Sequence, residues 1–178
     1  IKALLASCDL KTPSGIRDYA IFMVLFDTGV RVGELISMNP PDWKNRLVKV
    51  DGKTGVRYVP LGLSSLQALE RYIRKWSVPD SPMWRGKYGP LTTSGVLQMV
   101  RRRCSSFRVP YKGVHAFRRS AAAQMKRMGM NDSDLMEIMG WEEVTMLRRY
   151  VASVSLELAQ SAHRQFSPVD SAMAFNIR

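Results

Sequence analysis

Apolar residues recur at helical spacing along most of this chain, and the pattern breaks at one place. Residues 47–50 (Leu-Val-Lys-Val) and 56–59 (Val-Arg-Tyr-Val) are rich in β-branched side chains, and Asp51-Gly52-Lys53-Thr54-Gly55 stands between them. Such side chains are already stiff at χ1 and suit a pleated strand. Asp-Gly between two short strands is a hairpin turn signal, because glycine supplies the positive φ that the turn needs. The expected fold class is therefore mainly α with a small antiparallel β-hairpin. The Gly-Lys-Thr inside this stretch is not a phosphate-cradling loop. A Walker A loop needs a glycine five residues before Gly52, and that position is Leu47.

The rest reads as helices. Ile16 to Asp27 is apolar-rich, opens after Thr12-Pro13-Ser14-Gly15 and stops near Gly29. A short helix over Val32 to Met38 ends before Asn39-Pro40-Pro41. Leu66, Leu69, Ile73 and Trp76 mark one apolar face after Ser64-Ser65, and Val96, Leu97, Val100, Cys104 and Phe107 mark another. Further helices are expected over Ala116–Met128, Ser133–Met139, Thr145–Val151 and Leu156–Phe166. Residues 77–90 read as a turn-rich loop, and 167–178 as a C-terminal extension outside the core.

The charge narrows the partner. The formal net charge is +12, and between Ser81 and Asn131 there are eleven Lys or Arg with no Asp or Glu. A solvated face mixes signs, so a one-signed stretch points to a polyanion, and nucleic acid is the expected partner. A membrane surface fits less well, since these charges spread over several helices and loops instead of one amphipathic helix. No apolar run is long enough to span a bilayer, and the first ten residues lack a signal pattern. Cys8 and Cys104 make no spaced framework, and with only His115 and His163 beside them no zinc site is expected. A reduced, cytoplasmic protein without metal or nucleotide cofactor is the expectation.

Several polar residues call for more than packing. Thr28-Gly29-Val30-Arg31-Val32-Gly33-Glu34-Leu35 puts Arg31 at a helix start with Glu34 three residues on. His115-Ala116-Phe117-Arg118 sets an imidazole and a guanidinium on one helix face. Trp141 follows Gly140 at a helix stop, and Tyr150 follows Leu147-Arg148-Arg149. Each has a structural reading: a surface ion pair, a capping histidine beside a solvated arginine, a core indole, a half-buried tyrosine. Lys53 by itself reads as a solvent-facing turn charge.

In this order the positions resemble the catalytic domain of the tyrosine recombinases of the phage integrase family. That family's pattern runs Arg, a lysine on a β-hairpin, His-x-x-Arg, His or Trp, then Tyr. Here it falls on Arg31 within TGVRVGEL, Lys53 within GKTGVRYVPL, His115 and Arg118 within HAFRRS, Trp141 and Tyr150. The resemblance covers about residues 1–166 and implies that family's catalytic-domain fold. It also implies that the family's N-terminal DNA-clamping domain is absent from this chain. Where many members carry Leu-Gly-His, this chain has Met139-Gly140-Trp141. An indole can donate a hydrogen bond but cannot shuttle a proton.

The resemblance implies cleavage and rejoining of DNA through a 3′-phosphotyrosyl intermediate on Tyr150, without a metal. Arg31 and Arg118 would hold the non-bridging oxygens, Lys53 would protonate the leaving oxygen, and His115 would exchange the tyrosine proton. Trp141 would donate to a phosphate oxygen, and Glu34 would orient Arg31. Arg101, Arg102, Arg103 and Arg119 are candidates for DNA contacts. The implied partners are double-stranded DNA and other copies of the chain on it, as dimer or tetramer, in the nucleoid. Integration, excision and resolution, as in a mobile genetic element, share this chemistry. A catalytically silent DNA-binding regulator of the same fold, and a type IB topoisomerase-like enzyme, are the alternatives.

Overall fold

The computed structural model describes residues 1–52, 55–76, 82–86 and 88–174. Its elements run α1 (Lys2–Ala6), α2 (Pro13–Thr28), α3 (Val32–Ile36), β1 (Leu47–Gly52), β2 (Gly55–Pro60), α4 (Leu63–Trp76), β3 (Arg85–Gly86), β4 (Gly89–Pro90), α5 (Thr93–Ser106), α6 (His115–Arg127), α7 (Asp132–Met139), α8 (Val144–Phe166) and α9 (Pro168–Ala174). The architecture is mainly helical with small antiparallel sheets, as the residue pattern leads one to expect. Among the described residues no helix is long and apolar enough to cross a membrane.

Local chemistry sets the element ends that matter here. Thr12 caps α2 by accepting a hydrogen bond from the Gly15 N–H at 3.1 Å, with Pro13 at the first helical position. The helix stops at Gly29, whose φ of 64° is left-handed. Any side chain there would also collide with Met139, since a Cβ would lie 2.8 Å from its Sδ. In the hairpin, β1 pairs with β2 from Leu47 opposite Pro60 to Gly52 opposite Gly55. Val48 and Val50 on β1 and Val59 on β2 are buried on one face, which is also the face of Arg57 because side chains alternate along a strand.

Two apolar clusters form the interior. The larger joins α2, α4 and α5 to the hairpin, with Ile21, Phe22, Val24, Leu69 and Tyr72 fully buried. The smaller packs α6, α7 and the first half of α8 around Leu135, Met139, Trp141, Leu147 and Val151. Helix α6 belongs to both. Its Phe117 stacks on Phe22 at 5.6 Å, while Ala121, Ala122 and Ala123 make the close contacts of the second cluster.

The structure departs from the sequence expectation in four places. Residues 144–166 form one helix where a break over 152–155 was expected. The buried stripe Leu147, Val151, Val154 continues across that gap, and the Ser155 hydroxyl donates to the Val151 carbonyl at 3.1 Å, so serine does not stop the helix. Residues 85–86 and 89–90 pair as a short hairpin within the expected loop. Its approach is pinned by the Tyr72 hydroxyl, which donates to the Met83 carbonyl and accepts from the Arg85 N–H, both at 2.8 Å. Lys2–Ala6 is helical. Residues 168–174 are helical too: Ser167 is buried and its hydroxyl accepts from the Asp170 N–H at 3.3 Å, behind a proline at the first helical position.

Candidate active site

The seam between the two clusters collects most of the polar residues singled out above. Arg118 lies on α6 at that seam and is only 2% exposed. Its guanidinium donates to the Gly29 carbonyl at 2.6 Å, at the end of α2, and to the Met139 carbonyl at the end of α7. Both acceptors are the orphan carbonyls that a helix C-terminus leaves behind. One side chain thus ties the two clusters together.

Arg118 also reaches two rings. Its Cζ lies 5.3 Å from the Trp141 ring and 5.8 Å from the Tyr150 ring, and those rings are 4.8 Å apart at 40°. Tyr150 is half-buried and Trp141 is buried. The Trp141 indole N–H has no hydrogen-bond partner among the described residues. A buried donor left unpaired costs about 1–3 kcal/mol, so this N–H is an available donor for an incoming acceptor.

Arg31 precedes α3, where the Glu34 carboxylate accepts from the Arg31 backbone N–H at 2.7 Å and from its guanidinium at 3.0 Å. The first contact is half of a capping box and explains why α3 starts here. Glu34 is 1% exposed and also receives the fork of Arg57, at 2.5 Å to one oxygen and 3.1 Å to the other. Burial pushes the Glu34 carboxyl up, but the Arg57 fork and the Arg31 N–H outweigh it and hold the group below its ordinary value. Arg118 is pushed down to about 10, first by burial and then by the nearby Arg31 charge, and so remains a cation at neutral pH. Arg31 and Arg57 thus both bond the Glu34 carboxylate, and Arg118 lies near enough to feel its charge, so among these described residues three guanidiniums share one carboxylate. The imbalance favours an anion, and planar forks suit a phosphate.

His115 opens α6 one turn before Arg118 and is exposed, as is Arg119. Tyr150 also borders a cleft between α6 and α8, together with Arg119, Arg127 and Arg149. Lys53 lies outside the described residues, whereas Gly52 and Gly55 on either side of 53–54 are paired at the end of the hairpin.

The three consecutive arginines of α5 separate. Arg101 is exposed with its guanidinium 5.3 Å from the Tyr111 ring centre, and the Arg102 side chain is 64% exposed. Arg103 turns inward. It donates to the buried Asp18 at 3.0 and 2.7 Å and to the Ser7 carbonyl at 2.6 Å, so its guanidinium is committed to the fold instead of to a ligand. Arg103, a candidate DNA contact by sequence, thus spends these donors inside the fold. Arg57 was not among the expected site residues. Its signal was the strand alternation that puts it on the same face as the buried Val59.

Comparison with known proteins places the chain in a family. A family model described as the phage integrase family matches residues 1–156. The chain is 30% identical over 174 residues to tyrosine recombinase XerC of Bifidobacterium longum, an overlap of 88% of this chain and 49% of that protein. Its fold is similar to the crystal structure of XerA recombinase, with a TM-score of 0.77 and 24% identity over 94% of this chain and 61% of the other. It is likewise similar to the Tn1549 transposon integrase in complex with transposon right end DNA, with a TM-score of 0.73 and 20% identity over 93% of this chain and 64% of the other. The chain spans about half the length of the curated relatives it matches. With the buried Arg118, the Glu34-held Arg31, and Trp141 beside Tyr150 all inside the matched span, this chain belongs to the phage integrase family.

Proposed function

We propose that this chain carries the strand-cleaving chemistry of a site-specific DNA recombinase, with Tyr150 as nucleophile. The observation that carries the reading is the buried Arg118 cation, held from behind by two helix-end carbonyls and set against the Tyr150 and Trp141 rings. A fixed, buried cation beside a half-buried phenol is a preorganised receptor for charge that develops on a phosphoryl group.

In the proposed step the Tyr150 oxygen attacks phosphorus and gives up its proton, the P–O5′ bond breaks, and the departing 5′-oxygen takes up a proton. The 3′-phosphate remains esterified to tyrosine. Attack by a 5′-hydroxyl reverses the step and rejoins the strand. A phenol titrates near ~10, so it needs help at neutral pH. Arg31 and Arg118 hold the two non-bridging oxygens, and Trp141 donates its indole N–H to one of them. His115 takes and returns the tyrosine proton. Lys53, on the segment joining β1 to β2, protonates the leaving oxygen. Glu34 holds Arg31 in place.

Double-stranded DNA is the proposed substrate, and copies of the chain assemble on it as a dimer or tetramer. Such a protein would act in the cytoplasm, at the nucleoid. Arg101, Arg102 and Arg119 are the proposed phosphate contacts outside the reacting centre. Each neutralised phosphate contributes ~0.9 to the slope of log affinity against log salt. Arg119→Ala is therefore expected to weaken binding to random-sequence duplex and to lower that slope by about 1, read from fluorescence anisotropy at several salt concentrations. An unchanged slope would remove Arg119 from the contact set.

The test of the reaction needs no known target. Supercoiled plasmid is incubated with the protein in EDTA, denatured in detergent, and examined for a protein–DNA adduct and for relaxed topoisomers. Both are expected from the parent, and neither from Tyr150→Phe. Salt-sensitive binding with no adduct would favour a silent DNA-binding regulator.

A further inference from the structure

The centre described above is assembled from several separate stretches of chain, and one side chain on β2 bonds two of the others, α3 and the end of α7. Arg57 sits on β2, opposite Val50 in the ladder. Its two terminal nitrogens grip both oxygens of Glu34, at 2.5 and 3.1 Å, while Glu34 holds Arg31 at the start of α3. Its Nε points the other way and donates to the Ile138 carbonyl at 3.4 Å, near the end of α7. The stem then crosses Gly140, where a Cβ would lie 3.0 Å from Arg57 Cδ and Nε. Gly140 has a left-handed φ of 60° and leads directly into Trp141.

Each half of this arrangement is demanding. Glu34 is nearly inaccessible, so its charge must be compensated by partners that do not move. Arg31 supplies only one side-chain bond to it and is itself 29% exposed, whereas the Arg57 side chain is 11% exposed and bidentate. The more rigid partner is therefore Arg57. At its other end, the corner from Ile138 to Trp141 has no side chain at Gly140, and the Arg57 stem fills that space. We infer that Arg57 is a positioning residue that sets Arg31, through Glu34, and the Trp141 corner in one fixed relation, so that the two donors meet the same phosphate. It touches no reacting atom itself. The inference rests on the proposed reaction for its catalytic consequence, though not for its structural one.

Two measurements test it. The first is a double-mutant cycle on the rate of adduct formation with supercoiled plasmid. Arg57→Met is expected to slow the reaction by about 100-fold while plasmid binding changes by less than about threefold. Glu34→Gln should slow it by a similar factor, and the two together should be little worse than either alone, because they break one connection. Arg57→Lys keeps the charge but not the fork. It should recover part of the rate, and it serves in place of the methionine variant if that one does not fold. Multiplying effects in the double variant would overturn the inference.

The second measurement is independent of catalysis. The indole N–H resonances of the four tryptophans are assigned with single Trp→Phe variants. Arg57→Met, or Arg57→Lys, should move the Trp141 signal and leave that of Trp43 in place. An unmoved Trp141 signal would overturn the inference even in a protein that forms no adduct. Absence of adduct from the parent would instead count against the proposed reaction.

Discussion

Arg118→Lys is expected to slow Tyr150-dependent adduct formation by about 10²–10³-fold, the usual loss when one preorganised donor to a developing oxyanion is removed. The reason is geometric. A guanidinium is planar and carries five donors, so Arg118 can bond the Gly29 and Met139 carbonyls and still aim N–H groups at a phosphate. An ammonium on a flexible stem has three donors and no fixed fork. The lysine variant should also acquire a pH dependence. Burial and the Arg31 charge already push Arg118 down to about 10, well below the ordinary arginine value. Lysine starts lower, near ~10.4, and the same surroundings would move it further toward the neutral form. A cation with a lowered pKa is charged at low pH and loses its charge as pH rises. Residual activity of Arg118→Lys relative to the parent should therefore fall between about pH 6 and 9. Single-turnover rates across that range decide the matter, and a constant ratio would mean that the lysine is not in the same buried setting.

Asp18→Ala is expected to cost about 3–5 kcal/mol of stability, the range for removing one partner of a buried ion cluster. Asp18 is fully buried on α2 and accepts four hydrogen bonds, two from Arg17 and two from Arg103. Arg17 is 8% exposed and the Arg103 side chain 16%, so the alanine variant would leave two guanidiniums with little access to water. Arg17 keeps a bond to the Arg85 carbonyl and lies 5.9 Å from the Trp76 ring, and Arg103 keeps the Ser7 carbonyl, but neither contact neutralises charge. For a chain of this size the loss corresponds to a fall in Tm of roughly 10 °C. Urea unfolding of Asp18→Ala beside Arg102→Ala would separate cluster from surface. Arg102 lies 3.8 Å from Asp18 with a side chain 64% exposed, and its removal should change stability by less than about 0.5 kcal/mol. Equal effects of the two would overturn the assignment.

The sequence by itself determined what local rules govern. Caps and stops such as Thr12, Gly29 and Gly140 act within a few residues, and apolar spacing reports one helix at a time, so α2 to α7 and the β1–β2 hairpin were legible. So were the order of Arg31, His115, Arg118, Trp141 and Tyr150 and the excess of positive charge. The tertiary structure alone decided how those charges are used. Arg101, Arg102 and Arg103 are identical letters in a row, yet a helix turns each to a different direction. Of the three, Arg103 alone hydrogen-bonds Asp18, 85 residues away, while Arg102 stays largely exposed at 3.8 Å from it. Arg57 meets Glu34 across 23 residues, and Arg118 meets Gly29 across 89. Buried charges must be paired or bonded, but which partner each finds depends on which faces the packing brings together, and no local pattern encodes that.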